Sequence, residues 1–366
     1  MAGQEASPLR RGWTTGACAA AAARAAYAAL LTGQFPDPVT IRLPRGQKPS
    51  FPLALAEANG AVARAGIIKD AGDDPDVTHG ATIIAGVAWA PPGSGIGFSA
   101  GEGVGTVTRP GLQLAVGEPA INPAPRAMIR EALTDFAEAN GAPPPDLTVT
   151  ISIPGGERLA EKTMNARLGI VGGLSVLGTT GIVVPYSCAS WVHSIHRGID
   201  VARAAGLDHI AAATGSTSER AVQRLYALPD HALIDMGDFV GGTLKYLRGH
   251  PVARLTLAGG FAKMAKLAAG HLDLHSSKSR VEPGTLTEML AVAGADEATL
   301  TAARAGDSAG ALLGSAGRWA PALADSVARR AREVALATLS GATSVDVAIV
   351  DRSGDFLARV GAEVDP

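Results

Sequence analysis

The sequence predicts an α+β domain over residues 1–190, followed by an α/β domain over 191–366 built on a Rossmann-like parallel sheet. Three observations carry this expectation. A chain of 366 residues is too long for one ordinary core. Its second half runs strand, loop, helix three times in succession, the pattern of parallel strands joined by crossover helices. Its first half mixes strands and helices without that alternation.

In chain order, TTGACAAAAARAAYAALLTG (14–33) predicts a helix. Thr14 or Thr15 caps its start, alanine has the highest helix propensity, and Gly33 stops it. Strands are expected at VTIRLP (39–44), FPLALAEANG (51–60), ARAGIIK (63–69) and ATIIAGVAW (81–89). Pro91, Pro92 and the glycines after them open a long loop that reaches GEGVGTVTRPG (101–111). The spacing of Met128, Ile129, Leu133 and Phe136 predicts a helix over 127–140, and LTVTISIP (147–154) alternates as a strand. Further on, DHIAAATG (208–215) leads into STSERAVQRLYAL (216–228), HALIDMGD (231–238) into FVGGTLKYLRG (239–249), and PVARLTLAGG (251–260) into FAKMAKLAAGHL (261–272). Residues 282–339 read as alanine-rich helices and SVDVAIVD (344–351) as a final strand.

Composition narrows the function classes. Hydrophobic residues make up 47% and charged ones 18%, as in a globular enzyme rather than a disordered chain. A net charge of −2 with no basic block lacks the footprint of a nucleic-acid binder. Two cysteines, Cys18 and Cys188, supply neither a disulfide framework nor a zinc cage, which points to a reducing cytoplasm. Cys18, inside the alanine run, reads as a small buried hydrophobe rather than a nucleophile. Residues Leu168–Val192 carry no charge over a membrane-spanning length, but five glycines and Pro185 make them a buried strand–turn–strand instead.

In an open α/β sheet, ligands bind beyond the carboxyl ends of the strands. Those ends are TGSTSE (214–219), MGDFVGG (236–242) and AGGFAK (258–263), each with glycine for close backbone approach and a helix start behind it. GGLSVLGTTG (172–181) fits a ligand cradle and, equally, a tight turn. GEPAINPAPR (117–126) presents Glu118, Asn122 and Arg126 on a proline-stiffened strut. HSSKSR (275–280) fits an anion site or a solvated helix end. The densest charge lies in KDAGDDPDVTHG (69–80). Its aspartates lack the alternate spacing and distal glutamate of a calcium loop, and the histidines or cysteines of a zinc site are missing. No metal site is expected. Pro75 and Gly72 mark a turn whose aspartates bond backbone amides, with Asp70 the best candidate for chemistry.

Taken together, WTTGACAAAAARAA, IIKDAGDDPDVTHGA, GEGVGTVTRPGL, GEPAINPAPRAMI and RLGIVGGLSVLGTTGIVVP resemble the CbiD family, and the match extends to AKMAKLAAGHLDLHSS. The family comprises cobalt-precorrin-5B C1-methyltransferases of the cobalt-early, anaerobic cobalamin pathway. The resemblance implies a fold unlike the common tetrapyrrole methylases. It also implies S-adenosylmethionine as co-substrate, cobalt present only within the corrinoid substrate, and neither nucleic-acid nor membrane partners. A homo-oligomer and transient contacts with neighbouring pathway enzymes belong to the same expectation. The three aligned strand-to-helix loops of the second domain place the methyl donor on Gly215, Ser216, Asp238, Gly259 and Gly260. Substrate contacts fall to Thr14, Thr15, Arg126, Arg167, Lys263 and Lys278, the cations facing the carboxylate rim. Asp70 is the catalytic candidate, and the four aspartates should turn to backbone amides, Lys69 or the cationic donor. The chain departs from the family pattern at Val184, Tyr186, Asp238, Ala262 and Leu274. A tetrapyrrole carrier without chemistry is the alternative; a phosphotransferase lacks the P-loop lysine.

Overall fold

The computed structural model describes residues 9–306 and 308–361. The chain divides into two compact units, Met1–Ser187 and Cys188–Pro366.

The N-terminal unit begins with strand β1 (Gly12–Trp13) and helix α1 (Thr15–Thr32). Thr14 caps α1, its hydroxyl accepting the Ala17 amide at 3.2 Å, and Gly33 ends it in the left-handed conformation at φ 78°. Strands β2 (Val39–Thr40), β3 (Ser50–Phe51), β4 (Leu55–Ala58), β5 (Val62–Ile68), β6 (Thr82–Trp89), β7 (Ile96–Ala100) and β8 (Thr106–Val107) follow. Helix α2 (Pro123–Ala139), strand β9 (Leu147–Ser152), helix α3 (Gly156–Ala160) and strands β10 (Ile170–Val171) and β11 (Ile182–Val183) complete the unit. Its main sheet has the order β4-β5-β6-β9-β7, antiparallel except for the parallel β7·β9 pair. The alanines of α1 let that helix lie close on β5 and β6 and against α2, burying Ile67, Ile83, Val149 and Ile151.

Two sequence expectations are corrected here. Residues 96–100 are strand β7, not loop, and residues 123–126 are the first turn of α2, not a separate strut. Proline at the first helical position loses no intrahelical hydrogen bond, so PAPR starts a helix as readily as it stiffens a loop.

In the C-terminal unit, helix α4 (Cys188–Ala204) precedes strand β12 (His209–Ala213), helix α5 (Ser216–Tyr226), strand β13 (Leu233–Asp235), helix α6 (Val240–Gly249), strand β14 (Arg254–Gly260) and helix α7 (Phe261–Ala268). Helices α8 (Pro283–Val292), α9 (Glu297–Arg304), α10 (Ala309–Ser315) and α11 (Ala320–Leu339) lead to strands β15 (Ser344–Val350) and β16 (Phe356–Val360). The sheet order is β13-β12-β14-β15-β16, with the first four strands parallel. SVDVAIVD is therefore not the last strand: β16 returns antiparallel beside β15. The turn between them is built by Asp351, whose Oδ1 accepts the amides of Ser353, Gly354 and Asp355 at 2.8–2.9 Å.

The uncharged stretch 168–192 holds two two-residue strands and then helix from Cys188, and Val171, Leu177, Val184 and Trp191 in it are exposed. It is thus not a buried strand–turn–strand, because the helix restarts just after Pro185. Among the described residues, no helix is long and apolar enough to cross a membrane.

Candidate functional site

The aspartate-rich loop stitches the start of the chain to the sheet. Arg10 and Asp73 exchange two backbone-anchored hydrogen bonds: the Arg10 amide donates to Asp73 Oδ2 at 2.6 Å, and the Asp73 amide donates to the Arg10 carbonyl at 3.0 Å. Asp74 Oδ1 accepts the amide of Tyr186 at 2.8 Å, pinning that residue at φ 54°. Asp76 accepts the Thr78 amide at 2.8 Å and, through its other oxygen, the buried Lys69 ammonium at 2.5 Å. These three carboxylates thus face amides or cations of the protein itself.

Asp70 is engaged in the same way. The Arg10 guanidinium binds it with both nitrogens, Nη2 to Oδ1 at 2.9 Å, and the Gly72 amide donates to it at 2.9 Å. Those bonds, the one from Arg10 foremost, hold its carboxyl at about 2. A carboxylate held that low is a weak proton acceptor near neutral pH. Its stability contribution is fully present above the ordinary carboxyl value of 3.8 and is lost as pH falls through about 2. The pair is half exposed, so it contributes little to stability. Denaturation midpoints should therefore fall between pH 4 and pH 2 slightly less steeply for Asp70→Asn than for the parent. Turnover of that variant should drop by less than about 10²-fold, below the span of general-base removal.

The glycine-rich segments of this unit converge on the starts of α1 and α2. The Gly16 amide donates to the Leu177 carbonyl at 2.9 Å, the Thr14 amide to Gly181 at 3.0 Å, and the Asn122 amide to Val176 at 3.1 Å. Thr14 and Thr15 are buried, and the Thr14 side chain fills the space that a β-carbon at Gly178 would need. The Thr14 side chain thus serves as cap of α1 and as packing against Gly178. Arg126 is engaged within the protein. Its Nε donates to the Ile121 carbonyl at 2.7 Å, and its Nη2 bonds the Pro119 carbonyl at 3.1 Å and Glu118 at 2.7 Å. The guanidinium also lies 5.4 Å from the Phe98 ring centre. It latches residues 118–122 instead of offering an open fork. Arg167 is also engaged within the protein. Burial pushes the Cys18 thiol up to about 12, which removes it as a nucleophile.

In the C-terminal unit, the carboxyl ends of β12 and β14 lie side by side where the chain order of the strands reverses, with β13 on one flank and β15 on the other. Gly215 is exposed, and a β-carbon there would meet nothing within 4 Å; Gly260 is nearly as open. Ser216 is exposed at the first turn of α5. Gly259 differs: its β-carbon would lie 2.7–3.0 Å from Met264 and Thr214, so that glycine serves strand packing. Asp238 and Lys263, assigned above to donor and substrate, pair with each other. The Lys263 ammonium also donates to the Leu274 carbonyl at 3.2 Å, while the Leu274 amide donates to the Asp238 carbonyl at 2.9 Å. That pair fastens the segment after α7 and leaves neither charge open. Lys278 is exposed, with no side-chain hydrogen bond or ion pair among the described residues.

Arg10 and Thr78, the partners of Asp70 and Lys69, were not singled out in the sequence. Arg10 lies 60 residues from Asp70, and the pairing of Arg11 with Gly72, together with the backbone bonds of Arg10 to Asp73 and of Trp13 to Asp70, brings them together. A shallow groove of about 250 Å³ on the open face of the N-terminal sheet, around Arg64, Gly86 and Thr150, shares no residue with these regions. Among the described residues, no three His, Cys, Asp or Glu side chains gather as a metal site.

The C-terminal unit is an α/β unit whose mostly parallel sheet reverses its strand order between β12 and β14, the point at which open α/β sheets as a class take ligands. The chain belongs to the CbiD family: the model described as CbiD matches residues 2–185, and that of the CbiD C-terminal domain matches 273–361. The Cobalt-precorrin-5B C(1)-methyltransferase of Brucella anthropi is 58% identical over 98% of this chain and 97% of its own length. The protein of the same name from Bradyrhizobium sp. (strain BTAi1) is 60% identical over 98% and 96%. A 1.9 Å crystal structure of a cobalamin biosynthesis protein (cbiD) from Archaeoglobus fulgidus is 29% identical, covers 69% of this chain and 77% of that one, and has a TM-score of 0.38.

Proposed function

We propose that this chain is an S-adenosylmethionine-dependent C-methyltransferase acting on C1 of cobalt-precorrin-5B, giving cobalt-precorrin-6A in anaerobic cobalamin biosynthesis. The observation that carries this reading is identity of 58–60% to two proteins of that name across both units. The C-terminal sheet is read as Rossmann-like and distinct from the common tetrapyrrole methylase fold, with the donor at its carboxyl edge. Gly215 and Gly260 favour this, since each leaves room that a side chain would occupy. The donor supplies an activated methyl group: its carbon–sulfur bond breaks as the new carbon–carbon bond forms, and the sulfonium leaves as a neutral thioether. The protein's share is alignment and exclusion of water, and alignment is worth roughly 7–11 kcal/mol of barrier. A strong base is not required, which agrees with the low value at Asp70.

Lys278 is the exposed cation that fits the carboxylate rim of the corrinoid. Cobalt arrives only within that substrate. A cytoplasmic location, a homo-oligomeric state and transient contacts with neighbouring pathway enzymes go with the reading. The test is mass spectrometry of cobalt-precorrin-5B after incubation with protein and donor. The expected product carries one added methyl group, lost when the donor is omitted. Tight binding of the corrinoid with no mass change would overturn the proposal in favour of a carrier.

A further inference from the structure

We propose that Trp191 and Asp235 form the adenosine end of the methyl-donor site, Trp191 as a stacking platform for the base and Asp235 as acceptor for the ribose hydroxyls. This rests on the reading of the chain as a donor-dependent methyltransferase.

The placement follows from the sheet. Strands β12 and β13 end flush, with Ala213 opposite Asp235. The exposed glycine after β12 is Gly215, and Asp235 stands 20 residues beyond it at the end of the adjacent strand. That is the spacing and the position at which dinucleotide-binding α/β folds hold the acidic residue that reads ribose. Neighbouring strands lie about 4.8 Å apart, so the carboxyl ends of β14, β12 and β13 together offer an edge of about 10 Å. An extended nucleoside conjugate laid along it would have its reactive end near Gly260 and its sugar near Asp235.

Trp191 stands at the far end of that line, in the first turn of α4. Its indole N–H donates to the Asp235 carbonyl at 3.1 Å, which fixes the ring beside the acid. The ring also lies against Gly237, at φ 50°, where a β-carbon would come within 3.4 Å of Nε1 and 3.5 Å of two ring carbons. With its polar edge satisfied by the protein, the ring has only its faces left to offer, yet the residue stays 46% exposed. A purine base uses such a face.

The experiment is a titration of the full-length protein with S-adenosylhomocysteine and its 2′-deoxy analogue, read by calorimetry and by tryptophan fluorescence. Wild type should bind the ribo ligand about tenfold tighter than the deoxy one, with quenching of fluorescence. Trp191→Ala should weaken both ligands about tenfold, the scale of one lost base–aromatic stack. Trp191→Phe should keep affinity within about threefold while losing the quench, since a ring remains. Asp235→Ala should weaken the ribo ligand about tenfold and abolish the preference over the deoxy analogue. Circular dichroism of each variant checks the fold. If wild type binds and all three variants bind as it does, the assignment is overturned while the methyltransferase reading stands. Failure of wild type to bind any S-adenosyl ligand overturns both. Unchanged nucleoside binding in Trp191→Ala with a changed oligomeric state would make Trp191 a protein contact and also overturn the assignment.

Discussion

Gly103→Ala is expected to lower the melting temperature of the N-terminal unit by about 5–20 °C. Three backbones meet at this residue. A β-carbon would sit 1.9 Å from the Ile153 carbonyl oxygen and 2.8 Å from the Gly156 amide nitrogen. From the opposite side, β-carbons at Gly156 and Gly173 would come within 2.2 and 2.4 Å of Gly103. The contacts are held by hydrogen bonds, with the Gly103 amide donating to Glu157 at 2.8 Å and its carbonyl accepting the Leu174 amide at 2.9 Å. Backbone in register on both sides cannot swing away as a flexible side chain would. Gly103 also lies at φ 71°, where a β-carbon alone costs roughly 1–2 kcal/mol. Overpacking adds roughly 1–3 kcal/mol. For a unit of this size each kcal/mol moves the midpoint by roughly 2–4 °C. Gly172→Ala is the control: φ is 84° but nothing lies within 4 Å, so only the conformational share applies. Scanning calorimetry of both variants decides the matter. Equal shifts would show that the three segments relax apart and that close approach is not what glycine provides here.

That crossing shows why some of this fold can be read from sequence and some cannot. Helix α1 is legible because its cap, its alanines and its terminal glycine are all local. The strand–loop–helix succession of the C-terminal unit is legible for the same reason, since each unit is built from neighbours in the chain. Strand β7 is not. Its segment follows a proline pair and contains glycine, and what makes it a strand is its parallel partner β9 some 50 residues later. The order β13-β12-β14 is likewise set by packing between crossovers, and with it the position of Asp235 beside Gly215. At the candidate site, residue types were readable but pairings were not. Asp238 and Lys263 each suggested a ligand contact when taken alone. They neutralise each other across 25 residues.

Lys69→Met is expected to cost about 2–4 kcal/mol of stability at neutral pH, and adding Asp76→Asn should restore much of it. Lys69 is 2% exposed, and its ammonium bonds Asp76 and Thr78, each at 2.5 Å. Removing one partner of a buried ion pair costs roughly 3–5 kcal/mol, because the other charge is left without compensation. Asp76 keeps about a quarter of its side chain exposed, which sets the lower range. Methionine preserves most of the packing volume of the lysine stem, so the loss reports charge. The pH dependence gives an independent check. In the parent, burial pushes the Asp76 carboxyl up, but the charge and hydrogen bonds of Lys69 and Thr78 outweigh it and hold it below 3.8. That contribution is present above pH 3.8 and lost on further acidification. Without Lys69 the folded value rises, so the deficit is full at neutral pH and shrinks as Asp76 becomes protonated. Chemical denaturation of parent, single and double variants at pH 7 and pH 4 measures both effects. A deficit that is the same at both pH values, or that Asp76→Asn does not relieve, would mean that Lys69 holds the loop by packing rather than by its charge.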